Sequence, residues 1–113
     1  MTTPNPDDRG LVALKLMHLA MEWIEARVDL LPEIPSVLIY PTYRNVIIGF
    51  GYYSDGSETL GKILDLFKGQ TAKRTPSDSV WAYEIGDSNG GILFKWYVWR
   101  RTDSSNLETE VTL

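Results

Sequence analysis

The 113-residue chain contains no cysteine and only one histidine. The lack of cysteine excludes disulfides, thiolate nucleophiles and cysteine metal sites, and it fits a reducing compartment. No stretch approaches the roughly 20 charge-poor apolar residues that a membrane-spanning helix needs. The N-terminus is acidic and polar, unlike a signal peptide. We therefore expect a cytoplasmic protein that needs no cofactor and no metal.

Positive charge is also scarce. The net charge is −4, and the one basic segment, residues 41–75, carries five basic and three acidic side chains. This balance disfavours non-specific nucleic-acid binding, in which phosphate contacts dominate affinity. It favours association with a basic protein, because complementary charge speeds encounter.

The composition is that of a small folded protein. With 43% hydrophobic and 12% aromatic residues, the chain can bury a core. Its length predicts a single domain over residues 1–113. Residues 1–6 are expected to form a loose leader, and residues 102–113 a tail or a weak edge strand.

Hydrophobic periodicity predicts helices alternating with pairs of strands. A helix capped by Asp7 or Asp8 is expected to run to about Leu31, since its apolar residues recur at helical spacing. A second helix should follow an N-cap at Ser57, and Gln70 to Ser77 reads as a polar loop. The predicted strands are 37–40, 46–53 and the two arms of a hairpin within 78–101.

That hairpin has a definite register. Asn89-Gly90 between two apolar runs is typical of a two-residue turn. Counting outward from it, one face should pair Ile85 with Phe94, Tyr83 with Trp96 and Trp81 with Val98. The other face should pair Glu84 with Lys95, Ala82 with Tyr97, Val80 with Trp99 and Asp78 with Arg101. Two opposite-charge pairs follow from this register, and a one-residue slip would lose both.

The predicted fold class is α+β. The element order α-β-β-α-β-β suggests a two-layer sandwich, with an antiparallel sheet and two helices packed on one face. Gly49 and Gly51 lie within a strand, where glycine usually marks a bulge or a close approach.

Two motifs resemble chemical sites but fall short. Gly56, Gly61 and Lys62 have the spacing of a phosphate-binding loop, yet Ile63 stands where Ser or Thr would hold Mg²⁺. His18 shares a helical face with acidic residues, which is more typical of a solvated surface than of a metal site. We therefore expect no catalytic residues and a protein that is not an enzyme.

The second face of the hairpin is the candidate site. It carries Lys95, Tyr97, Trp99 and Arg101 and would be open to water if the helices cover the Trp96 face. Three interpretations remain: structural cover or self-association, a partner protein, or single-stranded nucleic acid with Lys73 and Arg74 as secondary contacts. Trp, Tyr and Arg are typical of protein-interface hot spots, and aromatic residues beside basic ones can also stack on bases.

Three segments together resemble a known family. VIIGFGYYSDG, LGKILDLF and VWAYEIGDSNGGILFKWYVW are similar in pattern to the YezG-like immunity proteins of bacterial toxin systems, over about two-thirds of the chain. The resemblance implies tight, non-catalytic neutralisation of a partner, often a basic nuclease. The resulting hypothesis is a protein-binding module that acts as an inhibitor, immunity protein or adaptor for a basic partner. The alternative is a single-stranded nucleic-acid-binding protein.

Overall fold

A computed structural model describes residues 8–41, 44–86, 91–100 and 107–113. Within these ranges the chain forms, in order, α1 (Asp8–Glu25), β1 (Ser36–Tyr40), β2 (Asn45–Tyr53), α2 (Glu58–Leu66), β3 (Thr71–Ser77), β4 (Val80–Gly86), β5 (Gly91–Trp99) and β6 (Thr109–Thr112). The strands form one sheet in the order β1-β2-β5-β4-β3-β6. The α+β class is therefore confirmed, with a six-stranded sheet and two helices.

The sheet is mixed, so the prediction of a purely antiparallel sheet is wrong. β2 and β5, its second and third strands, pair in parallel, and the other neighbouring strands are antiparallel. The cause is β3, which occupies the stretch expected to be a polar loop. After the α2 crossover, β3 runs in the same direction as β2. β4 runs in the opposite direction, and β5, which pairs antiparallel with β4, therefore runs in the direction of β2 again. The observed order, with a strand β3 after α2 and β6 at the end, also differs from α-β-β-α-β-β.

β3 was not predicted because its sequence, TAKRTPS, is polar and contains Pro76. Of its side chains only Ala72 is buried. The strand exists because both of its edges are paired, one with β4 and the other with β6. β4 follows β3 directly in the chain, whereas β6 lies beyond β5, and local propensity does not register a pairing with so distant a segment.

The hairpin register is confirmed over the described residues. Ile85 faces Phe94, Tyr83 faces Trp96 and Trp81 faces Val98. On the other face the observed pairs are Glu84 with Lys95, Ala82 with Tyr97 and Val80 with Trp99. The predicted turn at Asn89-Gly90 and the pairing of Arg101 lie outside the described residues.

α1 is shorter than predicted, ending at Glu25 rather than near Leu31. Beyond it the chain tightens, since the Arg27 amide donates to the Ile24 carbonyl (3.0 Å) and the Leu30 amide to the Arg27 carbonyl (2.8 Å). Bonds of this i to i−3 type are typical of helix ends. The predicted cap of α2 is confirmed, because the Leu60 amide donates to Ser57 Oγ at 3.3 Å.

The core lies between the helices and one face of the sheet. Four rings stack nearly parallel in a row, Trp23 on Phe67, Phe67 on Trp96 and Trp96 on Tyr83, with interplanar angles of 8°, 9° and 10°. Trp23 and Phe67 also contact Phe94, at centroid distances of 4.7 and 4.8 Å. Both helices therefore pack on the face that carries Phe94 and Trp96, the condition under which the second face of the hairpin was expected to be open.

The connector between α1 and β1 is tied to the end of β2. The Tyr53 hydroxyl donates a hydrogen bond to the Glu33 carboxylate. Burial, this hydrogen bond and the charge of Glu33 raise the pKa of Tyr53 well above its ordinary value of 10.0. The folded protein thus holds a phenol proton that the unfolded chain releases near pH 10.

Replacing Phe67 by Ala should destabilise the protein by about 3–5 kcal/mol, because it removes a buried ring at the end of α2 that contacts both α1 and the sheet. Urea unfolding followed by tryptophan fluorescence measures the change. Lys68→Ala, at the exposed neighbouring position, should change stability by no more than about 0.5 kcal/mol. A Phe67→Ala effect as small as that of the control would contradict the packing.

The Tyr53 hydroxyl should make stability fall as pH rises above about 10, because only the unfolded state then loses the phenol proton. Tyr53→Phe should make this decline shallower, whereas at pH 7 it removes only the bond to Glu33. Unfolding free energies of both proteins between pH 7 and 11 give the comparison. Identical alkaline slopes would show that Tyr53 titrates alike in both states.

Candidate functional site

The face of the sheet opposite the helices, here called the open face, carries a row of three aromatic side chains in contact. Tyr52 stacks on Tyr97 with ring centroids 4.5 Å apart and an interplanar angle of 11°. Tyr52 also contacts Trp99 at 5.5 Å. Tyr52 and Trp99 remain 58% and 50% exposed. We call Tyr52, Tyr97 and Trp99 the aromatic ladder.

Tyr52 joins this ladder because of an irregularity in β2. Its pairing with β5 shifts between Gly49 and Tyr52, where two residues of β2 stand against one of β5. Such a bulge resets the alternation of side chains along a strand. Tyr52 thereby comes to the open face opposite Tyr97, while Tyr53 turns into the core opposite Val98. The glycines indicated either a bulge or a close approach, and they did not indicate that Tyr52 would join the site.

Charged side chains flank the ladder in alternating order. Lys95 Nζ lies 3.6 Å from Glu84 Oε1 and 5.4 Å from the Tyr97 ring centroid. Partial burial acts to lower the pKa of Lys95, but the Tyr97 hydroxyl and the Glu84 carboxylate outweigh it and raise the pKa above 10.5. In the next strand, Lys73 Nζ lies 2.8 Å from Glu108 Oε1. Each of these lysines is therefore matched by a carboxylate.

Arg74 belongs to a different surface from Lys73. Neighbouring residues of a strand point to opposite faces, and Arg74 stands beside Tyr83, on the helix side of the sheet. Its guanidinium lies 4.3 Å from the Trp81 ring centroid, and that of Arg100 lies 5.1 Å from the same ring. The structure therefore places Arg74 on the face opposite Lys73 and the predicted hairpin site.

The predicted site residues are thus only partly brought together. Lys95, Tyr97 and Trp99 share the open face, and Lys73 lies on it two strands away from Lys95. Arg101 lies outside the described residues. Sequence reasoning missed Tyr52. The signal that could have found it is the pair of glycines, Gly49 and Gly51, just before the two tyrosines at the end of β2.

Lys62 and His18, from the two near-miss motifs, lie on α2 and α1. Lys62, in the sequence similar to a phosphate loop, pairs with Glu58 one helical turn earlier, with Nζ and Oε1 3.5 Å apart. His18 is exposed on α1. No cluster of three or more potential metal ligands occurs among the described residues.

Comparisons with protein families, with curated proteins and with solved structures found no match for this chain. Neither helix in the described ranges is long and apolar enough to cross a membrane.

Tyr52 and Tyr97 should be energetically coupled by roughly 0.5–1.5 kcal/mol, the range for stacked aromatic pairs. A double-mutant cycle of Tyr52→Ala and Tyr97→Ala, read by urea unfolding, measures this coupling. The matched cycle pairs Tyr52→Ala with Tyr83→Ala, on the opposite face, and should be additive within about 0.5 kcal/mol. Equal coupling in both cycles would rule out a specific stack.

Proposed function

We propose that this chain is a non-enzymatic protein-binding module that holds its partner on the aromatic ladder of the open face. It would act as an inhibitor, immunity protein or adaptor. The observation that carries the proposal is the ladder itself, since two of its three rings are at least half exposed on a sheet face that neither helix covers. Exposed Trp and Tyr are the side chains most enriched among interface hot spots.

The ladder is suited to binding because it is already ordered. Tyr52 and Tyr97 are held by stacking, and Lys95 is held by Glu84. Rigid aromatic groups lose little conformational entropy when a partner covers them. Val80 and Ala82, which pair with Trp99 and Tyr97, are buried and give the aromatic ladder apolar neighbours on β4.

Charge supports a basic partner. The net charge is −4, and the two lysines of the open face are each compensated by a carboxylate. A partner with an excess of Lys and Arg would be attracted to the chain as a whole, while the neutral ladder supplies the contact surface. Arg101 stays a predicted contribution to this site.

Binding of single-stranded nucleic acid is the weaker alternative. Bases do stack on exposed aromatic rings, but such proteins add a positively charged groove that follows the phosphates. Here Lys95 and Lys73 are paired with Glu84 and Glu108, and Arg74 faces the other side of the sheet. The described open face therefore offers stacking without a cationic track.

The proposal is tested by partner capture. The immobilised wild-type chain should retain a protein from its source cells, and the Tyr97→Ala/Trp99→Ala double variant should lose it because the contact rings are gone. Leu11→Ala, which truncates an exposed apolar residue on α1 in the other layer, should capture it as well as wild type. Far-ultraviolet circular dichroism checks that each variant is folded.

Retention of the same protein by the folded double variant would exclude the ladder as the binding site. A second measurement separates the alternative function. Fluorescence anisotropy with a labelled single-stranded oligonucleotide should show no binding at physiological salt, whereas tight binding that weakens steeply with salt would favour nucleic acid.

A further inference from the structure

The exposed apolar side chains are concentrated in one region. Eleven of the fourteen exposed large hydrophobic residues of the described chain lie between Leu11 and Tyr40, in α1, β1 and their connector. Ile34 in the connector is 95% exposed. Single exposed apolar side chains are common on protein surfaces, but a concentration of them in one region is typical of an interaction site. This region is distinct from the aromatic ladder.

The two edges of the sheet are treated differently by the sequence. β6 is a four-residue strand with Glu110 within it and Glu108 just before it, features that discourage a further strand from adding. β1, at the opposite edge, reads Ser-Val-Leu-Ile-Tyr, and residues 34–43 contain no charged side chain. No described strand pairs with the outer side of β1. Its unpaired backbone N–H and C=O groups can pair with an added β-strand.

α1 extends the same surface on the helix side of the sheet. It packs against β1, β2 and β5, so it lies over the β1 half of the molecule. Leu16 and Ala20 face the core, whereas Leu14, Met17 and Met21 form a second apolar row that stays about half exposed. A helix that is apolar on two sides is covered on two sides when it is fully assembled.

We propose that the chain forms a two-fold symmetric dimer, in which β1 pairs antiparallel with β1 of a second copy and the apolar rows of the two α1 helices pack together. The six-stranded sheets then join into one sheet of twelve strands. This interaction is separate from capture of a partner on the ladder.

A second copy fits this edge because β1 is complementary to itself. Antiparallel pairing centred on Leu38 sets Leu38 against its own equivalent, Val37 against Ile39, and Ser36 against Tyr40. No like charges meet, although the two chains each carry −4. Pro35 and Pro41 bracket the strand and limit it to five residues, the length its equivalent offers.

A dimer needs more surface than β1 alone offers. A stable interface buries about 800 Å² on each partner and involves roughly 20–30 residues. Five residues of strand are too few for that. The exposed row of α1 and the exposed connector extend the surface beyond β1. The helix rows need a partner helix rather than a lone peptide strand.

Sedimentation equilibrium of the full chain should give twice the monomer mass at micromolar concentrations. Leu38→Lys should raise the dimer dissociation constant about a hundredfold or more, because two ammonium groups would then face each other across the axis. Met21→Lys on α1 should also shift the protein towards monomer, and it covers the case in which Leu38→Lys fails to fold.

Two controls locate the contact. Thr112→Lys adds the same charge at the opposite edge, and Tyr97→Ala/Trp99→Ala alters the ladder; both should leave the mass at that of the dimer. Loss of the dimer in the ladder variant would instead make the ladder a self-association surface. A wild-type monomer at all concentrations, or a dimer that folded Leu38→Lys and Met21→Lys leave intact, would overturn the proposal.

Discussion

Phe67 is the point at which the two helices and the sheet meet. It caps the C-terminal end of α2, yet its ring lies in the core between Trp23 of α1 and Trp96 of β5. Phe50 of β2 meets it edge-on at 6.3 Å. Because β2 and β5 are the parallel pair, this one ring fixes the helical layer over the strands that carry the aromatic ladder on their other side.

The hairpin could be predicted because several local signals agreed on one register. Alternating aromatics gave the two faces, and the opposition of Glu84 and Lys95 discriminated against a slip. The same alternation placed Lys95, Tyr97 and Trp99 together on the open face. This part of the site depends on neighbours within one hairpin, which is the scale that sequence patterns describe well.

Features that depend on distant partners were not predictable in the same way. β3 has one buried side chain, Ala72, and is a strand only because β4 and β6 pair with it. Missing β3 led to the wrong direction for β5 and concealed the separation of Lys73 from Arg74. Tyr52 joined the site through a bulge whose position depends on the β5 register, so neither Gly49 nor Gly51 alone could locate it.

The dimer proposed above has a geometric consequence for the ladder. A two-fold axis through the β1 pair stands perpendicular to the joined sheet, so both ladders lie on the same face of that sheet. β5 is the third strand from the edge, and five spacings of about 4.8 Å therefore separate the two β5 strands by about 24 Å. A continuous sheet holds that separation nearly fixed. Leu93 is level with Leu38 on the axis, and Tyr97 stands four residues farther along β5, so the two ladders are also offset by about 26 Å along the strands and lie about 35 Å apart. Two partner molecules much wider than this would collide on the open face, whereas one partner with its own two-fold symmetry could engage both ladders and gain avidity from the rigid spacing. The charge-free edge at β1 would then determine how many partners the open face can hold.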